Sequence, residues 1–295
     1  MAYTTLQLWL LAIRPRTLPA AVGPVVVGAA VAFRDATFSL PPALGCLFGA
    51  LLLQIGVNLA NDYFDHKNNI DSGQRLGPVR VSQSGLIAPS AVKNGMIVAL
   101  AFATAVFLYL SFVGGLPVVV IGFFSVLAAL AYSGGPYPLA SHGLGELFVF
   151  IFFGPVAVVG TYFVLAGRVT WMAVAAAVPP GLLISAIMVV NNLRDIENDR
   201  DAGKKSLAVI IGRNNSILEY RLLVAFAYLI PAVIFFGGGA GLPILLPLAS
   251  LFFAWSLYKK IGYLTDGALN GLLASTAVLS FVFSLLFAMG LIAGG

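Results

Sequence analysis

The chain of 295 residues is 60% hydrophobic and only 9% charged, and its mean hydropathy is +1.00. Because an average soluble domain carries about 25% charged residues, this composition excludes a soluble globular domain. The formal charge of +5 is explained by basic residues that face anionic lipid and indicates no nucleic-acid partner. The single cysteine, Cys46, excludes a disulfide framework.

Apolar segments recur along the whole chain. A membrane-spanning helix needs about 20 mainly apolar residues, whereas the strands of a membrane barrel would alternate in segments of about ten, and the sequence shows no such alternation. We therefore predict an all-α polytopic membrane protein, with about nine transmembrane helices in a single domain over residues 1–295. The predicted spans are 18–33, 40–62, 91–112, 116–133, 145–167, 171–191, 216–236, 241–258 and 269–292.

Lysine and arginine are distributed unevenly among the predicted loops. Of the 16 basic residues, only Arg34 and Arg168 fall on one side of the spans, and the others fall on the opposite side. Cytoplasmic loops collect lysine and arginine. We therefore predict that the N-terminus and the long loops 63–90 and 192–215 are cytoplasmic and that the C-terminus is outside, in a bacterial inner membrane or its equivalent.

Two short stretches, 58–71 and 191–201, contain most of the acidic residues, and each lies at a predicted cytoplasmic span end. Residues three or four positions apart share one face of a helix, so each stretch should present an acidic patch. Such carboxylates repel each other, and Mg2+ would offset the repulsion because it bridges carboxylates to phosphate oxygens. The expected sets are Asn58, Asp62 and Asp65, and Asn191, Asp195 and Asp199, with the four aspartates as metal ligands.

Basic residues accompany each acidic stretch. Arginine matches phosphate oxygens with a planar fork, and lysine supplies a point charge. An acidic stretch followed by basic residues, present twice, predicts a site for Mg2+ and a diphosphate between two pseudo-repeated halves of the chain. The alternative, charged residues that merely decorate solvated helix ends, is disfavoured because the same spacing occurs twice. The predicted substrate-binding residues are Asn58, Lys67, Asp71, Arg75, Arg80, Asn191 and Lys204.

These residues resemble the motifs of the UbiA superfamily of intramembrane prenyltransferases. The two Asp-rich motifs of that superfamily match residues 58–71 and 191–201. The segments 77–85, 132–139 with 143–146, and 194–209 look like the MenA branch, the 1,4-dihydroxy-2-naphthoate prenyltransferases. Many superfamily members have an aspartate where this chain has Asn69, and here the acid comes later, at Asp71. This departure also favours the naphthoate branch, and Asp71 is expected either to ligate the metal or to orient Lys67 or Arg75.

The resemblance implies nine helices around a central cavity with a cytoplasmic cap. It also implies a Mg2+-dependent reaction in which a polyprenyl or phytyl diphosphate prenylates 1,4-dihydroxy-2-naphthoate, with loss of CO2 and diphosphate, in menaquinone or phylloquinone biosynthesis. Tyr132 is then a candidate catalytic residue, because an aromatic face stabilises an allylic cation. Glu146 is a candidate for substrate contact. The alternative is a purely structural role, because the helix dipole stabilises a carboxylate at a helix N-terminus.

Other functions stay open. A related enzyme could use another aromatic acceptor, such as 4-hydroxybenzoate or homogentisate. An ion-coupled transporter is the alternative from a different class, since carboxylates in spans mark ion pathways. Transport sites usually lie near the bilayer midplane on broken helices, whereas both acidic stretches lie at span ends. Asn270, a polar residue in the last span, is expected either to face the cavity or to form a hydrogen bond between helices.

Overall fold

A computed structural model describes residues 3–68 and 76–295 of the chain. Within this part, eight helical segments are long and apolar enough to cross a membrane, and a shorter apolar helix, Leu116–Ala131, adds a ninth. The predicted all-α architecture of about nine membrane helices is confirmed. The predicted division into two repeated halves stays a prediction.

Eleven helices are named here in chain order; α1 and α2 together form the first long apolar segment, Thr5–Arg34, and α8 is a short helix outside the candidate spans. The first five are α1 (Thr5–Ile13), α2 (Leu18–Arg34), α3 (Leu40–Lys67), α4 (Pro89–Gly114) and α5 (Leu116–Ala131). The other six are α6 (Gly145–Ala166), α7 (Trp171–Arg194), α8 (Ile196–Asp201), α9 (Leu207–Phe236), α10 (Leu242–Lys260) and α11 (Asp266–Ala293).

Helix α1 precedes the first predicted span and was not predicted from the sequence. Thr4 caps it, because the Thr4 hydroxyl accepts a hydrogen bond from the Gln7 amide while the Gln7 side chain accepts one from the Thr4 amide. The helix ends at Arg14, whose backbone is left-handed with φ 53°. This turn separates α1 from α2 and directs the chain into the membrane-spanning bundle.

Two of the spans contain breaks in regular α-helix. Helix α9 begins nine residues before the predicted start at 216, and Gly212, with φ 78°, kinks it near its beginning. In α6, residues Phe152–Val159 form a π-helical turn around Pro155. Proline lacks the amide that an α-helix would use, and wide turns of this kind are frequent at functional sites. Here the π-helical turn lines the central cavity described below.

Helix α7 lies at the centre of the bundle and packs against α2, α6, α9 and α11. Small residues let these helices approach closely, as is usual between membrane helices. A Cβ atom on Gly28 of α2 would lie 2.4 Å from the carbonyl oxygen of Val158, and one on Gly181 of α7 would lie 3.0 Å from that of Phe150. These contacts fix α2 and α7 against α6.

The outer surface of the bundle is apolar. Phe112, Phe236 and Phe252 are 90%, 83% and 88% exposed. Exposed apolar surface on this scale indicates contact with hydrocarbon and not with water. Together with the length of the apolar helices, this surface identifies an integral membrane protein.

Arg34 and Arg168, the two basic residues predicted to lie on the side opposite to all the others, are found at one end of the bundle. Helix α2 starts beside Thr17, which contacts Asn58 near the first acidic stretch, and ends at Arg34, which donates a hydrogen bond to the Gly239 carbonyl at 2.7 Å. Arg168 lies 3.6 Å from Asp35, the residue after Arg34. Arg34 and Arg168 are therefore at the end opposite to the acidic stretches.

Candidate active site

A single long cavity of about 1520 Å³ connects the two acidic stretches with the interior of the bundle. Along α3 its wall runs from Cys46 to Asp65, which corresponds to roughly 28 Å at 1.5 Å per residue. Charged and amide side chains surround one end of the cavity, and apolar side chains line the rest. The apolar wall includes Phe107, Leu110, Ile121, Phe148, Phe152 and Phe281.

The first acidic stretch forms one face of α3, as its spacing predicted. The Asn58 amide donates hydrogen bonds to the Ile13 carbonyl and to the Thr17 hydroxyl, both at 2.9 Å. Asp65 forms a buried ion pair with Arg80. Asn58, Asp65 and Arg80 all line the cavity, so this stretch brings an amide, a carboxylate and a guanidinium to the polar end.

Asp62 lies on the same face of α3 and is only 1% exposed. Its two carboxylate oxygens accept hydrogen bonds from the backbone amides of Val81 and Ser82, both at 2.9 Å. Asp62 is not among the residues that line the cavity. Its visible role is to hold the segment after Arg80 against α3, and its predicted role as a metal ligand stays a prediction.

The second acidic stretch bends between two helices. Helix α7 ends at Arg194, Asp195 has non-helical backbone angles, and α8 begins at the next residue. The Asp199 amide nevertheless donates a hydrogen bond to the Asp195 carbonyl at 2.8 Å, which keeps the spacing of one helical turn. Asn191, Asp195 and Asp199 therefore face the same cavity, as predicted.

Arg194 binds the second stretch together. Its guanidinium donates to both oxygens of Asp195, at 2.9 and 2.5 Å, and to the Asn191 side-chain oxygen at 3.0 Å. Such two-point arginine–carboxylate contacts are geometrically specific. Arg194 is 4% exposed and lines the cavity.

Asp199 is paired with Lys204, whose nitrogen lies 3.5 Å from the Asp199 carboxylate. Burial raises the pKa of the Asp199 carboxyl above its ordinary value, and the nearby Lys204 ammonium acts in the opposite direction. Each cavity-lining aspartate predicted as a metal ligand thus has a cation beside it. The pairs are Asp65 with Arg80, Asp195 with Arg194, and Asp199 with Lys204.

This donor set fits Mg2+ held together with a phosphate. Among the described residues, no three His, Cys, Asp or Glu side chains are grouped closely enough to hold a metal ion by themselves. Mg2+ commonly takes only one or two carboxylates and completes its shell with waters and substrate phosphates. The carboxylates on the cavity wall supply the protein oxygens for that arrangement, and the cations beside them suit the phosphates.

Three further predicted substrate-binding residues are not placed at the cavity by the described part of the structure. Lys67 is exposed at the end of α3 and does not line the cavity, so α3 does not bring it to the predicted site. Asp71 and Arg75 lie outside the described residues. The contacts of the first stretch after Asn68 therefore stay predictions.

Tyr132 lines the cavity, and its hydroxyl lies 3.3 Å from the Met188 sulfur. Tyr132 therefore presents its aromatic ring to the cavity. This environment suits the predicted contact with a carbocation.

Glu146 is buried behind the cavity wall and does not line the cavity. One of its carboxylate oxygens accepts a hydrogen bond from the Asn192 amide at 2.6 Å, and its backbone carbonyl accepts one from Ser185 at 3.1 Å. Glu146 thus links α6 to α7. Its predicted contact with substrate stays a prediction.

The sequence alone did not assign site roles to Arg194 or to the turn Pro15–Thr17, which also reaches the cavity. In the sequence, Arg194 is one of several basic residues at a predicted helix end. Its position directly before Asp195 could have indicated that the two side chains interact. Asn270 was left between two alternatives, and the structure shows both. It lines the cavity and forms hydrogen bonds to other parts of the fold.

Comparison with known proteins agrees with this geometry. The profile of the UbiA prenyltransferase family matches residues 21–269. The chain is 41% identical over 219 residues to the 1,4-dihydroxy-2-naphthoate octaprenyltransferase of Mycobacterium tuberculosis. That alignment covers 74% of this chain and 75% of the relative. It is 37% identical over 219 residues to the Escherichia coli protein of the same description. That alignment covers 71% of this chain and 70% of the relative.

A solved structure shows the same fold. A UbiA homolog from Archaeoglobus fulgidus, bound to GPP and Mg2+, superposes with a TM-score of 0.70 over 97% of this chain and 99% of that chain, at 16% identity. At this identity the likeness concerns the fold alone. Because the family profile matches most of its length, the chain belongs to the UbiA prenyltransferase family.

Proposed function

We propose that this membrane prenyltransferase transfers a prenyl group from a polyprenyl or phytyl diphosphate to 1,4-dihydroxy-2-naphthoate, as a step of menaquinone or phylloquinone biosynthesis. One observation carries the proposal. Two helices bring paired aspartates and cations to the polar end of an apolar cavity that is roughly 28 Å long. Such a cavity suits a ligand with a polyanionic head and a long hydrocarbon tail, and the relatives that share 41% and 37% identity favour the naphthoate acceptor.

The head group would be held by both stretches. Arg80, Arg194 and Lys204 are the cations on the cavity wall beside the aspartates, and they would bind the diphosphate oxygens. Asp65, Asp195 and Asp199 would hold Mg2+, with Asp62 as a further candidate. The chemistry that bound Mg2+ supplies is neutralisation of negative charge on the departing diphosphate.

The protein side chains then assist the transfer itself. As the carbon–oxygen bond breaks, its electron pair leaves with the diphosphate, and fixed cations stabilise that charge. The allylic cation that remains faces Tyr132, and the apolar wall, including Phe148 and Phe152, excludes water. The acceptor ring supplies the pair for the new carbon–carbon bond, and the pair of the ring–carboxylate bond returns to the ring as CO2 departs. No external proton is needed for this balance.

The two alternatives explain less. A different aromatic acceptor would use the same diphosphate site, but both relatives described above are naphthoate enzymes by their descriptions. An ion-coupled transporter would place its carboxylates near the midplane, whereas Asp65 and Asp195 lie at the ends of α3 and α7. The enzyme with a naphthoate acceptor is therefore the better reading of this site.

The test is turnover by the purified protein in detergent with Mg2+ and geranylgeranyl diphosphate. We expect 1,4-dihydroxy-2-naphthoate labelled in its carboxylate to release labelled CO2 and an equal amount of diphosphate, and chelation of Mg2+ to stop both. Parallel reactions contain 4-hydroxybenzoate or homogentisate in place of the naphthoate. Faster turnover of either of these acceptors would overturn the naphthoate assignment, and the absence of any turnover with all three would overturn the enzymatic one.

The orientation in the membrane belongs to the same proposal. We place the N-terminus and the diphosphate site on the cytoplasmic side because 14 of the 16 basic residues fall on that side of the predicted spans. The segregation of Arg34 and Arg168 to the opposite end supports this orientation.

A further inference from the structure

Asn270 lies near the start of the last span, far along the chain from both Asp-rich stretches, yet it contacts the second stretch and the segment that follows the first. Its side-chain oxygen accepts a hydrogen bond from Arg194 Nη1 at 2.9 Å, and its side-chain nitrogen donates one to the Leu76 carbonyl at 2.7 Å. A guanidinium only donates and a carbonyl only accepts. The two partners therefore fix the orientation of the Asn270 amide, with its oxygen toward Arg194 and its nitrogen toward Leu76.

The first partner leads to the second Asp-rich stretch. Arg194 is buried, and the same guanidinium that donates to Asn270 also holds both oxygens of Asp195 and the side chain of Asn191. A guanidinium is planar, so the contact with Asn270 fixes the plane in which Arg194 meets Asp195. Asn270 thereby sets the position of an aspartate of the proposed diphosphate site.

The second partner leads to the segment that carries Arg80. Asn270 holds this segment at Leu76, and Asp62 holds it at Val81 and Ser82. Arg80 lies between the two attachments and pairs with Asp65. A segment fixed on both sides of one arginine presents that arginine in a defined place.

From this arrangement we infer that Asn270 is a positioning residue of the diphosphate site. It fixes Arg194 on one side and the Arg80 segment on the other, so that cations from both halves of the chain face the same diphosphate. The inference rests on the proposed function for the identity of the ligand. It concerns the assembly of the site and not the choice of acceptor.

The substitution Asn270→Leu removes both hydrogen bonds while keeping a side chain of similar size. We expect kcat/KM for geranylgeranyl diphosphate to fall by about ten- to a hundredfold, which is the usual effect of losing a hydrogen bond to a buried charged group. Binding of inorganic diphosphate with Mg2+, measured by calorimetry, should weaken by a similar factor. Asn270→Ser, which is polar but too short to reach both partners, serves as a second variant if the leucine variant does not fold.

The matched control is Thr276→Val, two turns further along α11. Thr276 is fully buried and bonds to the Tyr220 hydroxyl at 3.0 Å, but it does not line the cavity. Its removal should lower stability to a similar extent and leave diphosphate binding unchanged. If Asn270→Leu and Thr276→Val reduce binding equally, Asn270 acts only through general stability, and the inference is wrong.

A double-mutant cycle gives a readout that a merely structural role would not produce. When Asn270→Leu is combined with Arg194→Lys, the losses in diphosphate affinity should not add, because both changes break the same contact. Additive losses would overturn the inference.

Failure of the proposed function is distinguishable from failure of this inference. If the wild-type protein binds Mg2+ and diphosphate but does not prenylate any tested acceptor, the proposed function fails, while the binding measurements and the double-mutant cycle still decide the role of Asn270. If turnover occurs and the variant binds diphosphate like the wild type, only the inference fails.

Discussion

The Asp62 carboxylate lies 2.9 Å from the backbone nitrogen of Val81 and accepts its hydrogen bond. Its other oxygen accepts a second hydrogen bond from the Ser82 amide, at the same distance. Asp62 therefore differs from the other three aspartates, which lie beside cationic side chains on the cavity wall. The acidic stretch of α3 thus has two tasks. Asp62 fixes the segment after Arg80, and Asp65 faces the cavity.

Substitution of Asp62 should accordingly reduce stability as well as turnover. Asp62→Ala leaves two buried amides without an acceptor, at about 1–3 kcal/mol for each group, whereas Asp62→Asn keeps one acceptor oxygen. We expect the alanine variant to have the lower apparent melting temperature and both variants to lose most turnover. An alanine variant that melts like the wild type would show that the two hydrogen bonds do not anchor the segment.

Asp195 should control the requirement for Mg2+. Asp195→Asn removes a negative charge from the cavity wall, so we expect half-maximal turnover to need at least about tenfold more Mg2+, or turnover to be lost. Glu197→Gln is the matched control, because Glu197 is an exposed carboxylate of the neighbouring helix that forms an ion pair with Arg200 and does not line the cavity. The assignment fails if both variants keep the wild-type dependence on Mg2+.

Arg80 should determine affinity for the diphosphate head. Arg80→Lys keeps the charge but loses the planar fork, so we expect kcat/KM for the prenyl diphosphate to fall by about tenfold while KM for the acceptor changes little. Lys93→Gln removes an exposed cation that does not line the cavity and should leave both constants unchanged. Equal effects of the two substitutions would point to general electrostatic attraction instead.

Asp199 should destabilise the metal-free protein. Burial raises the pKa of its carboxyl in the folded state. A group with a raised pKa favours the folded state below its unfolded pKa, and this contribution is lost as the pH rises through the folded pKa. Asp199→Asn should therefore be at least as stable as the wild type at neutral pH, although we expect it to lose turnover.

Ligand-dependent melting provides the complementary measurement for Asp199. Mg2+ with diphosphate should raise the apparent melting temperature of the wild type, because a ligand that binds only the folded protein stabilises it. The same addition should have little effect on Asp199→Asn. A clearly lower melting temperature of the metal-free variant at neutral pH would contradict the sign of this argument.

The orientation can be tested because Cys46 is the sole cysteine. In a Cys46→Ala background, Lys260→Cys places a thiol at the end of α10 near the basic loops, and Arg168→Cys places one at the opposite end of the bundle. An impermeant maleimide added to intact cells should label only the Arg168→Cys variant, and inverted vesicles should reverse the pattern. Labelling of Lys260→Cys in intact cells would refute the proposed orientation.

The sequence was most informative about features that neighbouring residues determine. Span length and apolar content predicted the membrane helices, and the spacing of Asn58, Asp62 and Asp65 placed them on one face of α3. Helix α1 was not predicted because it is too short to register as a span. The predicted span began at 216, a few residues after the kink at Gly212, because polar residues after Gly212 interrupt the apolar run; the helical segment before the kink was not predicted.

Contacts between distant parts of the chain could not be predicted in the same way. Lys67 follows Asp65 closely in sequence, but the helix directs it to solvent and not to the cavity. Arg194 and Asn270 are 76 positions apart, and only the packing of α7 against α11 brings them together. Spacing within one helix reports which residues share a face, but not which residue of another helix lies opposite.

The cation beside each cavity-lining aspartate has a consequence for how the protein is made. Arg194 directly precedes Asp195 in the sequence, Lys204 lies five positions after Asp199, and Arg80 lies 15 positions after Asp65. Each partner is therefore synthesised within the same short stretch as its aspartate. Charged side chains within membrane spans are costly, and they usually pair with one another. Each acidic stretch can thus neutralise its carboxylates with residues made close to it in time, before the distant parts of the chain have packed together.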